Sequence, residues 1–370
     1  MQPPSRLAGQ NGMKNKFRVA CALLSLVAAP VCQAVTGKIL PEQPIPEPTE
    51  LGVAFNFDIL VRNDESAALT LEHMKIDFLD SAGALLLRKE ISGNGSSPNL
   101  LMIPNRKLEP GEEHLYFNPF PRMPQRLLVA RVTAHLEFST PDENAPPRML
   151  DLTAQISNRA APVVALPIAG RVFVWDGHDE LGHHRRWDYT IPFLKQLGFS
   201  SNGMRYSYDF VLVDEANALS KPDAQNNEDW LSFGATVRAV EAGTVVNVVS
   251  KHPDDRSFDP QESLKDINAL LGNYVVIDHG NGVFSAYAHL KQASAQVQPG
   301  DQVRRGQPIA AVGNSGSSNF PHLHFQLMNA PDMHGEGVPA LFRDFARVQG
   351  SRKSKVSRGA VDTGEIVLAR

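Results

Sequence analysis

Apolar residues alternate with smaller or polar ones at Val53, Phe55, Phe57, Ile59 and Val61, and Asn63-Asp64 close the run. Successive side chains of a strand point to opposite faces, so this spacing predicts a strand with one buried face, ended by a turn. The pattern returns at Met74, Ile76 and Phe78, ending in Asp80-Ser81-Ala82-Gly83, and at Ala130, Val132, Ala134, Leu136 and Phe138, running into Pro141. Repeated strand and turn units predict an antiparallel sandwich of immunoglobulin type over residues 51–158. His73, His114 and His135 are scattered among its strands, where surface or packing roles are expected. This module reads as a spacer or binding domain, through which a protein partner could dock.

Ala160-Ala161-Pro162 and Pro167 mark a joint, after which Val-rich segments and Gly turns follow at 236–240, 244–249, 274–278, 283–290 and 309–312. They predict a second β-rich domain over residues 165–346, making the chain all-β. The two domains are expected to fold separately. Pro41, Pro44, Pro46 and Pro48 mark residues 35–50 as an extended linker, and Gly350-Ser351-Arg352-Lys353-Ser354-Lys355 marks residues 347–370 as a flexible tail. The 27 Gly and 27 Pro show no short period, which excludes collagen.

Composition adds a compartment. Lys14, Lys16 and Arg18 precede a mostly apolar run at 19–31, and Ala34 follows as a small residue, so residues 1–34 read as a signal peptide. That run falls short of the roughly 20 residues that span a bilayer, so no stable membrane insertion is expected after cleavage. The mature chain is expected in the periplasm or outside the cell. Both cysteines, Cys21 and Cys32, lie in the removed segment, and Ala29-Pro30-Val31 lacks the small residue usual before a lipidated cysteine. Removal of four Lys or Arg and no acid leaves 32 of the 36 basic residues against 40 acidic ones, a net charge of −8. Such a chain offers no basic field for nucleic acid.

The chemistry-bearing residues gather in the second domain. In Pro321-His322-Leu323-His324-Phe325, two histidines at i and i+2 on a strand share a face and can meet one small ligand, although a surface pair has the same spacing. Gly313-Asn314-Ser315-Gly316-Ser317-Ser318 is a polar turn upstream, and Tyr287-Ala288-His289-Leu290 ends another alternating strand, with Tyr287 and His289 expected on one face. Asp278-His279-Gly280-Asn281-Gly282 reads as the hairpin turn leading into that strand. Residues 251–271, with Asp254, Asp255, Asp259, Glu262 and Asp266, look like an insertion that is either a solvated acidic loop or a cover over a groove.

Together with Tyr208-Asp209-Phe210, Gly243-Thr244-Val245 and Gly272-Asn273-Tyr274-Val275-Val276-Ile277-Asp278-His279-Gly280, these motifs resemble the lysostaphin or LytM-type zinc metalloendopeptidases over residues 165–345. The resemblance implies an antiparallel β-sheet core with zinc in a groove between loops, and hydrolysis of peptide bonds in peptidoglycan cross-links or stems of the cell wall. Carried over by position, it implies Asp209 and His324 as zinc ligands and His289 and His322 as unliganded histidines beside the attacking water. The family's remaining ligand is a histidine four residues before the aspartate, where this chain has Arg205, a permanent cation that cannot bind zinc. Gly182-His183-His184-Arg185-Arg186 offers a replacement, assigned to His184, with His183 and His178 as alternatives; the competing expectation is that His183 and His184 are exposed loop residues. Arg205, Tyr287 and Asn273 are assigned to substrate, Arg205 by pairing with a carboxylate of the substrate or of Asp209. The rival expectation is a catalytically inactive LytM-like domain that binds wall peptide or regulates another cell-wall hydrolase. A sugar hydrolase would need paired carboxylates in a cleft, and no such pair is recognisable.

Overall fold

The structure is a computed structural model that describes residues 35–93, 99–120 and 122–370; the segment expected to be a signal peptide, with both cysteines, lies outside the described residues. The amino-terminal half folds as two main sheets over one core, with a small third sheet of Glu47–Thr49, Gly52–Ala54 and Arg122–Met123. One sheet orders the strands Val35–Leu40, Asp58–Asn63 and Glu113–Phe117; the other orders Arg148–Gln155, Arg131–Ser139, Leu69–Leu79 and Leu85–Ser92, with Lys107–Leu108 joined to Leu69–Leu79. Phe57, Ile59 and Val61 from the first meet Met74, Ile76, Phe78, Val132 and Leu136 from the second, the residues whose alternation marked the strands. The first alternating run is broken, however, into Gly52–Ala54 and Asp58–Asn63, which lie in different sheets.

The expected linker is part of this sandwich. Val35–Leu40 pairs along its length with Asp58–Asn63, from Val35 opposite Asn63 to Leu40 opposite Asp58, and Val35, Ile39 and Leu40 are buried. All four prolines of the segment follow this strand, so they leave its ladder of hydrogen bonds intact.

The second half is built on a twelve-stranded sheet whose middle runs Gly170–Asp176, Tyr208–Leu212, Leu323–Met328, Phe284–Ala288, Tyr274–Asp278 and Gly243–Val249. The expected flexible tail is also part of the sheet. Ile366–Ala369 lies between Gly170–Asp176 and Leu341–Gln349, while Arg352–Gly359 pairs with Leu341–Gln349. Gly350, at φ 61°, makes the turn that the charge run concealed. The charges sit on an exposed edge strand, where they discourage further pairing, and Val367 is fully buried.

A third core joins the halves. Leu40 and Leu115 of the sandwich pack with Tyr189, Leu194, Phe199 and Tyr274 of the second domain.

Candidate metal centre and groove

Alternation along two adjacent strands sends Tyr208, Phe210, Leu323 and Phe325 into the core and Asp209, His322 and His324 to the opposite face. Asp209 and His324 are directly opposed in the register. His324 also lies opposite Ala288, and the next residue, His289, leaves its strand with a left-handed φ of 55°. That turn brings the His289 ring to 4.8 Å from His322 and 5.8 Å from His324. His184 arrives from the connection between Gly170–Asp176 and Tyr208–Leu212, its ring 4.9 Å from that of His324. All five residues are buried.

The tautomers follow from what each ring touches. His184 Nδ1 faces the Gly177 carbonyl at 3.3 Å, His289 Nδ1 the Ser315 carbonyl at 2.8 Å, and His322 Nδ1 the Phe320 carbonyl at 2.8 Å. A carbonyl only accepts, so these nitrogens carry the proton and each Nε2 presents a lone pair. His324 is turned the other way: its Nε2 donates to Gln326 Oε1 at 2.8 Å, leaving Nδ1 as the acceptor. Gln326 is fixed in turn by donating to the Gly203 carbonyl at 3.3 Å.

Asp209 Oδ1 lies 3.6 Å from His184 Nε2, 3.5 Å from His322 Nε2 and 3.1 Å from His324 Nδ1. Acceptors facing acceptors in a buried site repel one another unless a cation or additional protons lie among them. A tetrahedral zinc ion, with bonds of about 2.0–2.1 Å, spaces its ligand atoms about 3.3 Å apart. The donor set therefore fits zinc. A second grouping, Asp176, His183, His184 and Asp209, also has its ligand atoms within 4.8 Å of one another. It overlaps the first on its outer side. His183 is two-thirds exposed and its Nδ1 is taken up by Asp176, so the buried set with His324 is the better cage.

Charge in the ion-free site follows the same geometry. Burial, with the neighbouring histidines adding to it, pushes His184 down to about 3 despite the attraction of Asp209. His289 is held well below the ordinary histidine value by burial and by His322 and His324. Burial works the same way on His322, but the Asp209 carboxylate outweighs it and raises the pKa. Asp209 stays well below the usual carboxylate range because His184 and His322 overcome its own burial. One carboxylate thus holds the charge of the site, and His289 beside it is kept neutral.

The cluster opens into a groove of about 460 Å³, walled by Leu270, Leu271 and Met333 and by Trp175, Trp187 and Phe320. Phe320 stands edge-on to Trp175 and stacks on Trp230. The insertion at 251–271 forms part of this wall. Its acidic residues are not merely solvated: Asp259 and Asp266 cap the short turns Pro260–Leu264 and Ile267–Leu271. Asp254 accepts from the backbone N–H groups of Asn314 and Gln292.

Three residues expected at the substrate lie elsewhere. Arg205 has no exposed surface and forks onto Glu336, Nε to Oε1 at 2.6 Å and Nη2 to Oε2 at 3.2 Å, with Nη1 donating to Asp58 at 2.6 Å. Tyr287 is in the core and its hydroxyl accepts from the Val240 N–H; because the chain turns at His289, the two do not share a face. Asn273 is buried and its amide donates to the carbonyls of His252 and Leu290. His178 points away from the cluster to Glu47, 2.8 Å distant. Sequence reasoning missed Gln326, although continuing the alternation from His322 and His324 by one step reaches it.

Residues 230–339 match Peptidase family M23. The chain is 47% identical over 57 residues to the peptidoglycan DD-endopeptidase ShyA of Vibrio cholerae, covering 15% of this chain and 13% of that protein. It is 48% identical over 56 residues to the murein hydrolase activator EnvC of Escherichia coli, covering 15% and 14%. Among solved structures, the catalytic domain of lysostaphin from Staphylococcus simulans is 24% identical, covers 38% of this chain and 79% of that one, and has a TM-score of 0.23. The chain thus spans about a seventh of the length of those two curated relatives.

Proposed function

From the match of residues 230–339 to Peptidase family M23 and the geometry of the cluster, we propose that the protein is an exported zinc endopeptidase that hydrolyses peptide bonds in peptidoglycan cross-links or stems. The observation that carries this reading is the convergence of imidazole lone pairs on Asp209 Oδ1. His184, Asp209 and His324 would hold the ion. A zinc ion bound there would supply Lewis acidity, bringing water near neutrality in pKa and polarising the scissile carbonyl. His289, its Nδ1–H held by Ser315, offers Nε2 to accept the proton of the attacking water. His322, its Nδ1–H held by Phe320 and its pKa raised by Asp209 against its burial, stands beside it; in its protonated form Nε2–H donates to the oxyanion as charge develops. The proton then passes to the leaving nitrogen as the peptide bond breaks, giving a carboxylate and an amine.

A non-enzymatic, activator-like role has less support, because a groove that only binds peptide has no need of buried acceptors set against one another. The test is incubation of the mature protein with cross-linked peptidoglycan, with and without a chelator. Release of new amine that stops with the chelator and returns with zinc supports the reading. No amine from zinc-loaded protein would sink it. Export is tested by whether residues 1–34 carry a periplasmic reporter across the inner membrane.

A further inference from the structure

Asp209 and His324 are fixed by strand pairing, but His184 rides on a connection outside the sheet, and something else must place it. Its neighbour Arg185 does. The two residues sit in a tight turn, closed by the Arg186 N–H on the Gly182 carbonyl at 3.0 Å, and while His184 faces Asp209, Arg185 reaches the amino-terminal sandwich. Arg185 is fully buried there, with Nε donating to Asn56 Oδ1 at 3.2 Å, Nη1 to Asp58 Oδ1 at 2.6 Å and Nη2 to the Phe57 carbonyl at 2.8 Å.

The other oxygen of Asp58 accepts from Arg205 Nη1, the residue four places before Asp209. Arg205 is in turn forked onto Glu336. Asp58 and both arginines are fully buried. Two arginines and two carboxylates form a neutral chain, and removing one member would leave an uncompensated buried charge. On the other side of His184, the sandwich makes a second tether, His178 to Glu47. Asn202 donates its side-chain amide to the His184 carbonyl at 3.0 Å.

We propose that Asp58, a residue of the sandwich, is a positioning residue of the metal centre: by clamping Arg185 it holds His184 at the ligand position, so the sandwich is a structural half of the site. This inference rests on the reading of the cluster as a metal site. It gives Arg205 a role as well. The residue in place of a ligand has become part of the clamp that delivers the substitute.

The test measures zinc affinity by competition with a chromogenic chelator, and the visible spectrum of the cobalt-substituted protein, on the full mature chain. The variants are Asp58→Asn, the double variant Asp58→Asn with Arg185→Gln, and Ile76→Val, which loosens the sandwich core without touching the clamp. Thermal melts establish that each is folded; the double variant, which restores charge neutrality, carries the test if the single one unfolds. The parent is expected to bind one zinc. The clamp variants should bind it roughly 10–100-fold more weakly, the range typical of residues that orient ligands, with altered cobalt bands. Ile76→Val should lower the melting temperature and leave affinity and spectrum unchanged. A folded clamp variant that binds zinc as tightly as the parent would overturn the proposal, as would an equal loss of affinity in Ile76→Val. A parent that binds no zinc would overturn the metal reading itself and the inference with it.

Discussion

The two sides of the cluster are built by different means. Asp209 and His324 stand opposite each other on paired strands, so their separation is set by backbone hydrogen bonds and by the alternation that buries Tyr208 and Phe325 behind them. His184 sits on a loop whose position depends on Arg185, Asp58 and Arg205, residues from both halves of the chain. The sheet-borne side carries its geometry in local sequence; the loop-borne side borrows it from a distant domain.

Cutting the chain between the halves strikes the loop-borne side hardest. Residues 160–370 alone should show no cooperative thermal transition, because truncation opens the shared core at Leu40 and Leu115 and strips Arg185 of its partner. Breaking one buried pair costs about 3–5 kcal/mol, a large part of a typical stability of about 5–15 kcal/mol. A sharp melt of that fragment would show the halves to be independent. On the sheet-borne side, His324→Ala should lose zinc and all measurable hydrolysis together.

His322→Ala separates the roles within the sheet. It should keep the metal while kcat falls by about 10²–10⁴-fold, the usual contribution of a positioned acid or base; loss of zinc instead would make His322 a ligand. Gln326→Leu frees His324 to change tautomer and should weaken zinc binding about 10–100-fold, read by chelator competition. The smallest effect concerns pH. Burial lowers the pKa of His178, but Glu47, with Asp362 adding to it, raises it overall. Because the folded value exceeds the unfolded one, near 6.5, this pair's contribution is complete below about pH 6.5. It fades as pH rises through the raised folded value. Glu47→Gln should remove that part of the pH dependence of the melting temperature, leaving the two melting profiles closer together at high pH than at low pH.

What could be read from the sequence follows the same division. Strand alternation located the sandwich core and the face shared by His322 and His324, because a period of two is a local property. The pairing of Val35–Leu40 was hidden by the prolines after it, and that of Ile366–Ala369 by the charges before it. Both strands are held by partners distant in sequence. Arg205, Tyr287 and Asn273 were misplaced for a related reason: polar groups near a site look alike in sequence whether they face substrate or hold the backbone. Their buried partners, Glu336, the Val240 N–H and the Leu290 carbonyl, appear only once the chain is folded.

The central claim is that His184 completes a metal site begun by Asp209 and His324. Elemental analysis of the purified mature protein and of His184→Ala tests it directly. The account predicts about one zinc per chain in the parent and none in the folded variant. Zinc retained in His184→Ala, or absent from a parent supplied with it, would contradict the account.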